Sequence, residues 1–214
     1  MTLYCDVDGT LLDSSARHET LLRDLLREDG LPWPAEAPDY LTYKADGHST
    51  RAWLEQAGMT PEQAADIAAR WQARIETAPY LAQDRAYPDA VPFLQAVRRS
   101  GRSVVLISAR QDAQALRATL ERCELLPLAD ELLVVPPLHA AAEKAARLQG
   151  RITPGDWMVG DTEADQRAAE QLGLPCLVLH RGFRSRRYWQ QHEVESFGSL
   201  PQVFAAMTDQ TKEE

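Results

Sequence analysis

The sequence predicts an α/β protein with a doubly wound parallel sheet as its core and a small helical cap domain inserted after the first strand. Three observations carry this expectation. Short apolar runs alternate with helical patterns from Pro88 onward, and strands that are apolar on both faces belong to a parallel sheet covered on both sides. Residues 14–84 show helical periodicity and no convincing strand. The strand ends carry polar residues, Asp6 with Asp8, Ser108, and Asp161, and in an open α/β sheet ligands bind at those ends. The expected boundaries are a core of residues 1–13 and 85–208, a cap of residues 14–84, and a flexible tail of residues 209–214.

Each element follows in order. Leu3-Tyr4-Cys5 reads as a buried strand running up to Asp6, and Gly9 allows a turn at its end. Ala16 to Asp29 is a helix with Leu21, Leu22, Leu25 and Leu26 at helical spacing, capped by Ser14 or Ser15. The stretch from Gly30 to Tyr43 is rich in proline and aromatics and resists assignment. Ser49 to Ala57 is a second helix. A third runs from Thr60, with Pro61 at its first position, to about Thr77, where Ala78-Pro79 breaks it. Then come a helix over Ala90–Ser100, the strand Val104–Ile107, a helix over Asp112–Cys123 and the strand Glu131–Val135. They are followed by an alanine-rich helix over Leu138–Gln149, the strand Trp157–Val159, a helix over Glu163–Leu172, the strand Cys176–Leu179 and a final helix over Ser199–Met207.

The bulk properties narrow the function classes. Apolar residues make up 44% and charged residues 26% of 214, ordinary for a soluble globular protein. No run reaches the ~18 apolar residues of a membrane span. Met1 leads straight into the first strand without a basic-then-apolar segment, so no signal peptide is expected. Cys5, Cys123 and Cys176 form no CxxC pair, which fits reduced thiols in a cytoplasmic protein. A net charge of -9 argues against non-specific nucleic-acid or membrane binding.

The strand ends bring carboxylates together with one ammonium, Lys144, and one hydroxyl, Ser108. Oxygen ligands without histidine point to magnesium, and a magnesium site with open positions suits a phosphate. There is no GxSxG turn and no GxxxxGK[ST] loop. An aspartate can itself be the nucleophile.

These residues carry a resemblance. Asp6-Val7-Asp8-Gly9-Thr10 resembles the DxDGT motif that opens haloacid dehalogenase-like hydrolases. Ser108, in Leu106-Ile107-Ser108-Ala109-Arg110, is similar to the second motif and Lys144 to the third. Gly160-Asp161-Thr162-Glu163-Ala164-Asp165 resembles the fourth, GDxxxD. Tyr87-Pro88-Asp89-Ala90-Val91 is similar to the Pro-Gly-Val stretch of the phosphoglycolate phosphatase-like group, with Asp89 in place of glycine.

The resemblance implies roles. Asp6 would attack phosphorus, forming an aspartyl-phosphate. Asp8 would protonate the leaving oxygen and then deprotonate water, while Ser108 and Lys144 would hold the phosphate and balance charge. Magnesium would be held by Asp6, the Asp8 carbonyl and Asp161, with Asp165 acting at that site. Backbone N–H groups near Asp8 and Ala109 would bind phosphate oxygens, with Gly9 and Thr10 also at the substrate. In the cap, Lys44, His48, Ser49 and Arg51 share one segment that would reach the leaving group. Arg181 begins a run of four arginines at the end of the last strand, suited to attracting an anionic substrate or an acidic partner. The expected activity is a magnesium-dependent phosphatase acting on a small phosphorylated metabolite, as a cytoplasmic monomer or homodimer. The alternatives are a phosphomutase like the β-phosphoglucomutases, with His48 or Lys44 serving from the cap, and a non-catalytic binding protein on the same fold. A dehalogenase or phosphonate-cleaving relative is disfavoured because it would lack Asp8.

Overall fold

Leu3, Tyr4 and Cys5 are buried to within 2% of completely, and the strand they form is the centre of the sheet. A computed structural model describes residues 1–210. In chain order the elements begin with β1 (Thr2–Cys5), β2 (Leu12–Asp13), α1 (Ser15–Glu28), α2 (Tyr40–Ala45), α3 (Thr50–Gln56), α4 (Pro61–Arg74), α5 (Ala78–Leu81) and β3 (Arg85–Ala86). They continue with α6 (Ala90–Arg99), β4 (Ser103–Ala109), α7 (Ala113–Arg122), β5 (Glu131–Val135), α8 (Ala140–Leu148) and β6 (Trp157–Gly160). The last are α9 (Glu163–Leu172), β7 (Cys176–Leu179), α10 (Arg186–Gln191), β8 (Ser196–Phe197) and α11 (Leu200–Gln210).

The main sheet has the order β5-β4-β1-β6-β7-β8, and every pairing in it is parallel. The chain steps outward from β1 to one edge and then returns to fill the other side. The direction of winding therefore reverses at β1, and the crevice beyond the carboxyl end of β1 is the switch point at which such sheets bind ligands.

The two-residue period of the strands sorts side chains onto two faces. Leu3, Cys5, Val104, Leu106, Trp157 and Val159 pack in one core cluster with residues of α6, α7 and α11. Tyr4, Val105, Ile107 and Met158 point the other way, into a second cluster with residues of α8 and α9. A third cluster is confined to the inserted helices, where Leu21, Leu22, Leu25 and Leu26 of α1 meet Tyr40, Trp53, Leu54 and Ile67. Each buried leucine there contributes about 1.5–3 kcal/mol, so the insertion has a core of its own.

The structure departs from the sequence expectations at short elements. The proline-rich stretch ends in α2, whose N-cap Asp39 accepts a hydrogen bond from the Thr42 N–H at 2.8 Å. The third helix stops at Arg74, and Pro79 sits at the start of a new turn, α5, rather than merely breaking a helix. β2 and β3 pair antiparallel where the insertion leaves and rejoins the core. The arginine run lies partly in α10, and β8 adds a sixth strand. Residues 209 and 210, expected to begin the tail, continue α11, and residues 211–214 lie outside the described residues. No helix among the described residues is long and apolar enough to cross a membrane.

Candidate active site

Asp6 follows β1 directly, and its N–H extends the ladder to the Val159 carbonyl at 2.9 Å. The side chain therefore emerges at the switch point, next to the end of β6. Asp161 follows β6, and Asp165 lies in the first turn of α9. All three are buried, and each offers a carboxylate oxygen such that these atoms lie within 4.8 Å of one another.

Hydrogen bonds aim each carboxylate. Lys144 of α8 donates to Asp6 Oδ1 at 2.6 Å and to Asp165 Oδ1 at 2.5 Å. Asp165 Oδ2 accepts from the Thr162 N–H and hydroxyl, so Asp165 also caps α9. Thr10 Oγ1 sits 3.2 Å from both Asp6 Oδ2 and Asp161 Oδ1, and the Phe183 N–H donates to Asp161 Oδ2 at 2.8 Å. Gly9 must be glycine here. Its φ is +78°, and a Cβ would stand 2.1 Å from Asp161 Oδ2.

The electrostatics of this set fit a divalent cation. Three carboxylates face one ammonium, leaving two negative charges uncompensated in a buried site. Burial pushes the Asp6 carboxyl up to about 7 even though Lys144 opposes it. Burial, and then the neighbouring Asp6 and Asp165, raise Asp161 well above the usual carboxylate range. A divalent cation held by oxygen donors would remove both penalties. Lys144 stays charged: burial disfavours the ammonium, but Asp165 and Asp6 outweigh it.

Asp8 belongs to a different cluster. Arg110 Nε donates to its Oδ2 at 2.8 Å, and Arg110 Nη2 donates to Oδ1. Arg17 Nη2 reaches Oδ1 at 2.9 Å, as does the Ser14 hydroxyl, and Ser108 Oγ lies 3.3 Å from Oδ2. Ser14 is the N-cap residue of α1, yet its hydroxyl serves Asp8 rather than the helix. Burial alone would raise the Asp8 carboxyl, but Arg110 and Arg17 outweigh it and hold the group far below the usual carboxylate range.

A cavity of about 450 Å³ lies between the inserted helices and the core. Asp8, Ala109 and Arg110 line it from the core, and Arg17, His18, Lys44, Arg51 and Trp71 from the helices. Lys44 has no carboxylate partner among the described residues. It contacts the Thr50 hydroxyl at 3.2 Å and lies 4.7 Å from the Trp71 ring centre, and burial lowers its ammonium to about 8.

The other expected site residues distribute as follows. Arg51 is exposed at the cavity and paired with Glu55. His48 is exposed and stacked on Tyr43. The histidine on the cavity wall is instead His18, held uncharged by burial and by the neighbouring cations Lys44 and Arg17. Arg181, expected to attract substrate, is not on the cavity wall. It forks onto Asp89, donates to the Thr10 carbonyl at 2.6 Å and lies over Tyr87. Its charge is thus spent on the residue that replaces the expected glycine. Ser108 faces Asp8. Thr10 and Gly9 shape the carboxylate cluster and are not part of the cavity wall.

Sequence reasoning missed Arg17, Arg110 and Asp84. A signal existed for Arg17, which occupies the same helical stripe as Leu21 and Leu25. A charged residue on an apolar stripe needs a buried partner.

The profile of haloacid dehalogenase-like hydrolases matches residues 1–173. The chain belongs to this family. Among relatives of this hydrolase, a Rhodobacter capsulatus phosphoglycolate phosphatase is 27% identical over 195 residues, which is 85% of each chain. A solved structure from Lactobacillus delbrueckii subsp. bulgaricus, described as a phosphoglycolate phosphatase, superposes with a TM-score of 0.73 at 18% identity over 96% of this chain and 97% of that one. Another from Thermotoga maritima, described as a β-phosphoglucomutase, gives 0.65 at 14% identity over 98% and 99%. At such identities the two structures speak for the fold of this haloacid dehalogenase-like hydrolase and not for its substrate.

Proposed function

We propose that the chain is a magnesium-dependent phosphatase that hydrolyses a small phosphorylated metabolite through an aspartyl-phosphate on Asp6. One observation supports this above the others. Asp6 emerges at the switch point within a buried set of three carboxylates and a shared lysine, and Asp8, two residues on, lines a cavity. Its relation to a phosphatase over 85% of both chains agrees, and the mutase alternative is not favoured.

In this reading Asp6, Asp161 and the Asp8 carbonyl hold magnesium, with Asp165 orienting Lys144. Bound there, the ion supplies Lewis-acid stabilisation of phosphoryl oxygens. A carboxylate oxygen of Asp6 attacks phosphorus. The phosphorus–oxygen bond to the alcohol breaks, and the departing oxygen keeps the electron pair and takes a proton from Asp8. A phosphate dianion beside Asp8 opposes the two guanidinium groups and favours that protonated form. Water then attacks phosphorus, gives its proton to Asp8, and the bond between Asp6 and phosphorus breaks. Backbone N–H groups near Asp8 and Ala109 hold the phosphate oxygens. Lys44, unpaired with any carboxylate among the described residues, faces the leaving group, and 2-phosphoglycolate is the first compound to test. Three free thiols agree with a cytoplasmic enzyme.

The test is a phosphate-release screen over a panel of phosphorylated metabolites with and without magnesium. Release that stops on chelation and returns with added magnesium is expected. Undiminished release in excess chelator, or none from any compound, contradicts the proposal.

A further inference from the structure

Asp84 is fully buried and not part of the cavity wall. It lies immediately before β3, where the inserted helices rejoin the core. Its carboxylate nevertheless touches both arginines that grip Asp8. Arg110 Nη2 donates to Asp84 Oδ2 at 2.9 Å, and Arg17 Nε lies 3.2 Å from Asp84 Oδ1. The four groups form a neutral ring of two carboxylates and two guanidinium groups, with Asp8 on one side and Asp84 on the other.

The backbone fixes Asp84 independently of this ring. Its carbonyl accepts from Arg122 Nη1 of α7 at 2.9 Å and from Arg85 Nη1 at 2.9 Å. Arg122 Nη2 also donates to the Leu81 carbonyl at 2.9 Å. Asp84 is therefore anchored to the core, while Arg17 belongs to the first helix of the insertion and Arg110 to the end of β4. Both crossings between insertion and core, at α1 and at β3, meet in this one cluster.

Arg110 grips Asp8 through Nε and Nη2, and Asp84 adds a second acceptor to that same Nη2, so the guanidinium is held between two carboxylates. Arg17 donates to Asp8 through Nη2 and sets its Nε beside Asp84 as a charge contact without a hydrogen bond. Without Asp84, two like-charged guanidinium groups would share only Asp8 and could swing onto the phosphate of an incoming substrate. We propose that Asp84 is a positioning residue, which sets the direction of the Asp8 carboxylate through Arg17 and Arg110 and ties that direction to the seating of the inserted helices on the core. The proposal rests on the reading of Asp8 as the acid–base group.

The experiment compares kcat/KM for two esters. p-Nitrophenyl phosphate has a leaving group that departs without a proton, whereas glycerol 2-phosphate needs one. Because kcat/KM reports on steps through departure of the leaving group, a misdirected Asp8 selectively penalises the second ester. The ratio of the two, measured on one preparation, is independent of the fraction of protein folded. Asp84→Asn is expected to lower kcat/KM for glycerol 2-phosphate about 10- to 100-fold more than for p-nitrophenyl phosphate, mainly through kcat, and Asp84→Glu is expected to restore most of the ratio. Equal losses on both esters, or no loss, in Asp84→Asn overturn the proposal. Asp8→Asn separates the two possible failures. A selective loss in Asp8→Asn then places the failure with Asp84 alone, and equal losses there mean that the acid–base reading of Asp8 has failed as well.

Discussion

Asp6 and Asp8 are two residues apart and have opposite electrostatic surroundings. Asp6 is raised to about 7 by burial among carboxylates, and Asp8 is held ionised by two guanidinium groups. The motif pattern made both acids legible in the sequence, along with Lys144, Asp161 and Asp165, and the fold gathers Asp6, Lys144, Asp161 and Asp165 into one buried set. The ring around Asp8 was not legible, since Arg17, Asp84 and Arg110 are far apart in the chain and only the fold pairs them. Arg181 misled for the converse reason: a local arginine count says nothing of which carboxylate already holds each one. Lys44 gives a prediction at this scale. Its ammonium is lowered to about 8 by burial, so it is charged below that pH and neutral above it. KM for a substrate with an anionic leaving group is expected to rise as pH passes through about 8, and Lys44→Arg to abolish that inflection. An unchanged inflection in the arginine variant removes Lys44 from the binding of the leaving group.

At the scale of elements, long periodic segments were readable and short ones were not. The strands of the main sheet, other than β8, and the longer helices appear where apolar pattern and glycine or proline punctuation placed them. β2, β3 and β8 have two residues each, too few to show a period. Their pairing depends on partners distant in the chain. Helix capping was readable where one side chain decides it. Thr60 and Gln63 form a reciprocal capping box at the start of α4, with Pro61 at the first helical position. Thr60→Ala is expected to cost about 1 kcal/mol, lowering the melting temperature by about 2–4 °C for a chain of this size. A melt indistinguishable from the parent would show that the box does not stabilise the insertion.

For the whole molecule, the doubly wound order brings the ends of β1 and β6 together and puts three carboxylates in one buried place. Such a set destabilises the apo fold unless a cation binds it, so magnesium should act as a stabilising ligand. Millimolar magnesium is expected to raise the melting temperature of the parent chain and to leave that of Asp161→Asn unchanged; an equal rise in both places the ion elsewhere. The inserted helices close the cavity over the same end of the sheet, and in the proposed reading the core carries the reaction while the insertion meets the leaving group. The central claim is that Asp6 is the group that takes the phosphoryl group. The most direct test is phosphate release by Asp6→Asn under saturating magnesium, on protein whose circular dichroism matches the parent. The account predicts a loss of about 10³-fold or more with the fold intact, and release within tenfold of the parent would contradict it.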